Sequence, residues 1–187
     1  MRLILAVMLS GLATAAYAAP QSPADAAGLA RAACVDTEMD QTALAALAAE
    51  KRWSELPYRS VPDGPAWGVV YGFGDVRVVM TGTDATTQGL PEGDRAVLRP
   101  AQRTCSVYFR NPQGDWRTGI AALAAELGYV DSSGPAVSAD DPREAREWGR
   151  NGKGILRMAY DPTARVLSVA IVRINDPEIR LLPSTNE

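Results

Sequence analysis

Two cysteines, Cys34 and Cys105, standing behind an N-terminal stretch with the grammar of an export leader, constrain this chain more than any other feature. Residues 1–18, MRLILAVMLSGLATAAYA, carry one positive charge at Arg2 and an uncharged apolar run from Leu3 to Ala16. Small residues at Ala16 and Ala18 then flank Tyr17. That is the order of parts in a secretory signal peptide. The run is shorter than the roughly 20 residues a membrane-spanning helix needs, so cleavage after Ala18 is expected rather than retention as an anchor. Arg2 has no second arginine beside it and no cysteine stands at the cleavage point, which sets aside twin-arginine and lipoprotein signals. The expected mature product is a single domain, residues 19–187, without an integral membrane segment, in the periplasm or secreted.

In an oxidising compartment two such thiols normally join, and with two cysteines there is one intramolecular bridge to make. Because it closes a loop of about 70 residues, chain-entropy reasoning assigns it roughly 4 kcal/mol, less any native strain. A redox-active pair would show the C-x-x-C spacing, which is absent, so a structural disulfide is the expectation. The formal net charge of -3, spread over both signs, leaves no basic footprint for nucleic acid or an anionic membrane.

Local patterning gives a mixed architecture. Ser22, Pro23 and Asp25 read as a helix start, and Ala26, Leu29, Ala30, Ala33 and Cys34 recur at helical spacing, which turns Cys34 inward. A second helix is expected from Asp40 to about Trp53 with Leu44, Leu47 and Ala48 on one side, and Pro57 forbids its continuation. The period then becomes two. Trp67, Val69 and Tyr71 alternate, glycines surround Phe73, and Val76, Val78 and Met80 alternate again, a hairpin signal. Asp84 to Asp94 reads as a loop before a strand on which Cys105, Val107 and Phe109 share a face. Asp115 caps a third helix with Trp116, Ile120, Leu123 and Leu127 aligned, and Gly128 stands at its C-terminal stop. A helical turn is expected at Asp141, Pro142 and Glu144, with Trp148 opening a second sheet segment. Asn151 and Gly152 form its hairpin turn, strands run Ile155–Tyr160 and Val166–Ile174 around a turn at Asp161 and Pro162, and the tail after Pro177 is peripheral. The expected fold class is α+β, an antiparallel sheet of about six strands with helices on one face.

The halves 40–110 and 115–175 carry the marks of a duplicated unit, one helix followed by three strands. AALAAE occurs at Ala45–Glu50 and Ala121–Glu126. Each copy ends near an aromatic residue, Trp53 or Tyr129, and precedes a tryptophan-glycine pair, Trp67–Gly68 or Trp148–Gly149. The third strands share a serine-valine step, Ser106–Val107 and Ser168–Val169. A pseudo-two-fold sheet is the corollary, with a groove near the axis.

Chemistry is legible mainly through what is missing. The chain has no histidine, the usual general base of serine and cysteine hydrolases and the commonest zinc ligand. No G-x-S-x-G elbow, Walker A loop or dinucleotide fingerprint occurs, and Gly72–Asp75 reads as a hairpin turn. No catalytic residue, metal ligand or cofactor is assigned. Asp140, Asp141, Glu144 and Glu147 contain the carboxylates a glycoside hydrolase or calcium site would use, but without the required spacing, and a capped turn with solvated charges is the simpler reading. Trp67, Trp148, Tyr71 and Tyr160 stand on hairpin strands and are the candidate binding residues, since aromatic rings supply much of the affinity in grooves; the competing role for each is core filling. Arg150 and Lys153, beside the Asn151 turn, read as exposed edge protection.

The cysteine late in the first helix, the alanine-rich helix ending in Trp53 and the segment Glu147-Trp148-Gly149-Arg150 resemble small exported two-cysteine proteins of Gram-negative bacteria with no assigned function. That resemblance implies no activity and carries over no site residue. The functional expectation is a non-catalytic envelope domain that binds an unidentified protein or small ligand. A carboxylate-dependent hydrolase and a structural envelope component are the alternatives.

Overall fold

The structure, a computed structural model, describes residues 26–59, 65, 67–83, 86–89, 95–99, 101–133, 143–151, 154–174 and 181–183. The leader, the helix start at Ser22–Asp25, Asp140, Asp141 and Pro142, and Gly152 and Lys153 lie outside the described residues. Helix α1 (Ala26–Ala30) runs into a π-helical turn (Arg31–Val35) and is followed by α2 (Gln41–Glu50). Strands β1 (Ser54–Leu56), β2 (Trp67–Phe73), β3 (Val76–Thr83), β4 (Thr86–Gly89), β5 (Arg95–Arg99) and β6 (Gln102–Arg110) come next. Helix α3 (Trp116–Glu126) then leads into β7 (Val130–Asp131), β8 (Glu144–Gly149), β9 (Gly154–Asp161), β10 (Val166–Ile174) and β11 (Leu181–Pro183).

The fold is α+β, and its main sheet has eight strands rather than about six, in the order β1-β2-β3-β6-β10-β9-β8-β7 with every pairing antiparallel. The two extra strands are the edges. At three and two residues, β1 and β7 are too short to leave a period-two signature. A separate three-stranded sheet, β11-β5-β4, takes in Thr86–Gly89, where a loop was expected, and Leu181–Pro183 from the peripheral tail. The sequence of β4, TTQG, is polar and ends in glycine, so nothing in it alternates. Strand β8 begins at Glu144, where a helical turn was expected, and Trp148 lies near its end rather than its start.

The helices lie on one face of the main sheet. Val78 and Met80 of β3, Cys105 and Val107 of β6, Leu156 and Met158 of β9, and Leu167 and Val169 of β10 are fully buried beneath them. Helices α2 and α3 are each started by an aspartate: Asp40 accepts from the Ala43 N–H at 2.9 Å and Asp115 from the Thr118 N–H at 3.2 Å. Leu44 and Ala48 of α2, and Trp116, Ile120, Leu123 and Ala124 of α3, are the residues each turns inward. Helix α1 packs against α3, β6 and β10, and Cys34 is bonded to Cys105 with the two Cα atoms 5.5 Å apart. The bridge therefore ties the helical layer to a central strand.

Read from either edge, the sheet order is the same: a short strand following a helix, then three long strands. Each half of that order therefore holds one helix and four strands of the main sheet, where one helix and three strands were expected. Pairing to the edge strands matches the two halves differently from the tryptophan-glycine pairs. Glu55 of β1 faces Tyr71 of β2 as Asp131 of β7 faces Trp148 of β8, so Tyr71–Gly72 is the counterpart of Trp148–Gly149, and Trp67 is the counterpart of Glu144. Following the ladders inward makes Met80 the counterpart of Met158, and Ser106 that of Ala170. Ser106 and Ala170 also pair with each other, which puts the pseudo-axis between them. The serine-valine steps are therefore out of register by two residues. Identity between alternating apolar strands does not pin register, whereas pairing to the edge strand does.

Candidate functional site

The four aromatic candidates share the helix-covered face of the sheet but are spread across it. Trp148 and Tyr71, 5% and 7% exposed, sit in the helix-covered core. Burial, with a smaller contribution from Glu55, pushes the Tyr71 phenol above its ordinary pKa. Tyr160 is half-buried, with its ring 5.2 Å from Trp116 at 46°. Trp67 is half-buried and lines a cleft of about 260 Å³ together with Asp40, Gln41, Thr42 and Arg103.

Three adjacent strands and one turn build this cleft. Trp67 of β2 faces Gly82 of β3, which faces Arg103 of β6, so the three form one row on the helix-covered side. The indole lies across Gly82, and a Cβ there would overlap the ring. Glycine is what allows the ring to lie flat. The opposite wall comes from the turn entering α2. Thr37 donates to the Ala33 carbonyl at 2.7 Å, and Glu38 and Met39 both adopt left-handed backbone, φ 53° and 56°. Such conformations cost a non-glycine residue about 1–2 kcal/mol each, so the turn needs outside support. Arg103 supplies it by donating to the Met39 carbonyl at 3.1 Å, and Arg173, its cross-strand partner, donates to the Glu38 carbonyl at 3.3 Å. Two like charges placed opposite each other are thereby satisfied by backbone oxygens.

The cleft presents an indole, a guanidinium, the carboxylate of a helix cap and the polar side chains of Gln41 and Thr42. Together they offer a stacking face, hydrogen-bond donors and acceptors, and one charge of each sign. Trp67 was a candidate from sequence, and the other four residues were not. A signal for Arg103 was present, since alternation with Cys105 and Val107 places it on the inward face of β6, where a charge calls for explanation.

Of the acidic cluster, Glu144 and Glu147 are described, and they point to opposite faces of β8. Glu144 accepts from Arg117 Nε at 2.8 Å and pairs with its Nη2 at 2.7 Å; Glu147 pairs with Arg157 at 2.6 Å. The Glu144 hydrogen bond raises the Arg117 pKa. Arg150 is exposed. Among the described residues no group of three or more cysteine, aspartate or glutamate side chains is arranged to hold a metal ion, and no helix is long and apolar enough to cross a membrane.

No protein-family model matches the chain, and no curated protein and no solved structure shows significant similarity to it.

Proposed function

We propose that this protein is a small exported domain, periplasmic or secreted, that binds a protein or small ligand without chemistry, and that the Trp67–Arg103 cleft is its binding site. The observation that carries the reading is the cleft itself, where an aromatic ring and two opposite charges converge at the N-terminus of α2. A disulfide and the leader-like N-terminus support export. Hydrolysis by paired carboxylates is disfavoured because Glu144 and Glu147 are on opposite faces of one strand, each held by an arginine. We further infer that the halves 40–110 and 115–175 descend from a duplicated unit, on the strength of a sheet order that reads alike from both edges.

Photo-crosslinking tests the binding role. A crosslinking residue at Gln41, in the protein expressed in its own compartment, is expected to capture a discrete partner, and Trp67→Ala to reduce that capture severalfold. The same crosslinker on the exposed face of α3, at Ala122, serves as the control. Equal capture from both positions, or none from Gln41, would overturn the proposal.

A further inference from the structure

The two halves of the sheet provide an internal comparison for the cleft. Trp67, Gly82 and Arg103 have as counterparts Glu144, Tyr160 and Leu167, a row paired in the same way across β8, β9 and β10. The ends of α2 and α3 superpose in hydrogen bonding: Trp53 N–H donates to the Ala48 carbonyl at 2.8 Å and Tyr129 N–H to the Ala124 carbonyl at 2.9 Å. Counting back from those ends, Asp40, Gln41 and Thr42 correspond to Trp116, Arg117 and Thr118. The five residues lining the cleft are thus the counterparts of Trp116, Arg117, Thr118, Glu144 and Leu167.

In the second half this place is filled. The Trp116 ring, 4% exposed, lies against Tyr160, and the Arg117 guanidinium sits 3.9 Å over it while also bonding Glu144. Helix α3 is one residue longer at its start, and that residue is the tryptophan. In the first half Asp40 stands at the corresponding position as the cap. The Trp67 ring, lying over Gly82, occupies the level that Tyr160 takes in the other half. What remains is the cleft, with one indole wall, one guanidinium and one carboxylate.

We propose that the cleft takes a planar aromatic ring of indole type, packed against Trp67 and flanked by Arg103, much as Trp116 packs at a tilt against Tyr160 with the Arg117 guanidinium over its face, the guanidinium coming from β6 in one half and from α3 in the other. The inference rests on the binding role proposed above and names the chemistry of the ligand. The Asp40 carboxylate, on the rim, is placed to accept from a ring N–H or an ammonium carried by the same ligand. At about 260 Å³ the cleft is below the roughly 300–1,000 Å³ of sites for drug-sized molecules, which suits one ring system and little else. The ring comes either from a free aromatic amino acid or from an aromatic side chain in a peptide.

Calorimetric titration of the full protein with N-acetyl-tryptophanamide, free tryptophan and a short tryptophan-containing peptide separates those sources. Saturable one-site binding is expected at about millimolar affinity or tighter, as suits a ligand of this size. Trp67→Ala is expected to weaken it roughly tenfold and Trp67→Phe to retain it. Asp40→Trp, which imitates the second half, is expected to abolish binding; far-UV circular dichroism of each variant identifies loss of fold. A free amino acid ligand is indicated if tryptophan binds better than the peptide, and a peptide ligand if the reverse holds. Binding unaffected by folded Trp67→Ala and Asp40→Trp variants would overturn the assignment. Partner capture at Gln41 without binding of any aromatic probe would overturn this inference and leave the binding role standing; failure of both experiments would overturn both.

Discussion

Tyr129 shows how one residue links the symmetry of the sheet to its chemistry. It follows α3 as Trp53 follows α2, but where Trp53 stacks on Phe73 at 4.8 Å, the phenol of Tyr129 lies over Gly154, close to where a Cβ would be. Burial raises its pKa above 10.0, partly offset by Arg173 and Arg150. Tyr71 is raised as well, by burial and then by Glu55. A folded-state pKa above the unfolded one means the neutral phenol is favoured by folding. Its contribution is therefore complete below pH 10 and is lost as pH rises through the folded-state value. The thermal midpoint is expected to hold up to about pH 10 and then to fall, with a shallower fall in a Tyr71→Phe/Tyr129→Phe variant. Equal slopes for the two proteins between pH 9 and 12, followed by circular dichroism, would refute this assignment.

Among the elements, α2 and α3 end in the same hydrogen-bonded stop but close it with different residues. The reversing residue is Arg52 in one, φ 57°, and Gly128 in the other, φ 72°. Arg52 N–H donates to the Ala49 carbonyl and Gly128 N–H to the Ala125 carbonyl, so the geometry is shared and only the steric cost differs. Arg52→Gly should stabilise the protein by about 1 kcal/mol, and Gly128→Ala should destabilise it by about the same amount. Shifts of the urea midpoint at constant m-value would check both, and a destabilised Arg52→Gly protein would count against the shared-stop argument. The same elements show why some of the fold was legible in sequence. Asp40, Asp115 and Gly128 are local signals read by the backbone beside them, and Val166–Ile174 carries an uninterrupted strand pattern. Strand β8 was read as a helical turn at its start because EAREWG hides its alternation: Glu144 and Glu147 are held by Arg117 and Arg157 rather than by apolar packing. The proline and acids just before it then resemble a helix cap.

At the scale of the molecule, the cleft was partly legible for the opposite reason. Trp67 is a conspicuous residue, but its partners are set by non-local geometry: Gly82 across a hairpin, Arg103 two strands away, and a turn near Met39 held by arginines of the central strands. No sequence window contains that arrangement. The disulfide could be anticipated because a leader-like N-terminus and two cysteines point to one intramolecular pairing, and its position explains its consequence. Helix α1 lies outside both halves and packs on β6 and β10, and the π-helical turn that continues it is joined to β6 by Cys34–Cys105. An ion pair from Arg31 to Glu126 connects the same turn to α3. With 71 residues separating the cysteines, removing the bond in a Cys34→Ala/Cys105→Ala protein should cost roughly 4 kcal/mol, chiefly by enlarging the unfolded ensemble. The halves should nevertheless unfold together. Nine residues of β10 pair with nine of β6, so neither half can leave without exposing a long unpaired edge and the apolar face behind it. Guanidinium denaturation followed by far-UV circular dichroism and by tryptophan fluorescence should give one coincident transition at a lower midpoint. Two separated transitions would show that the bridge, rather than the β6–β10 seam, is what couples the halves.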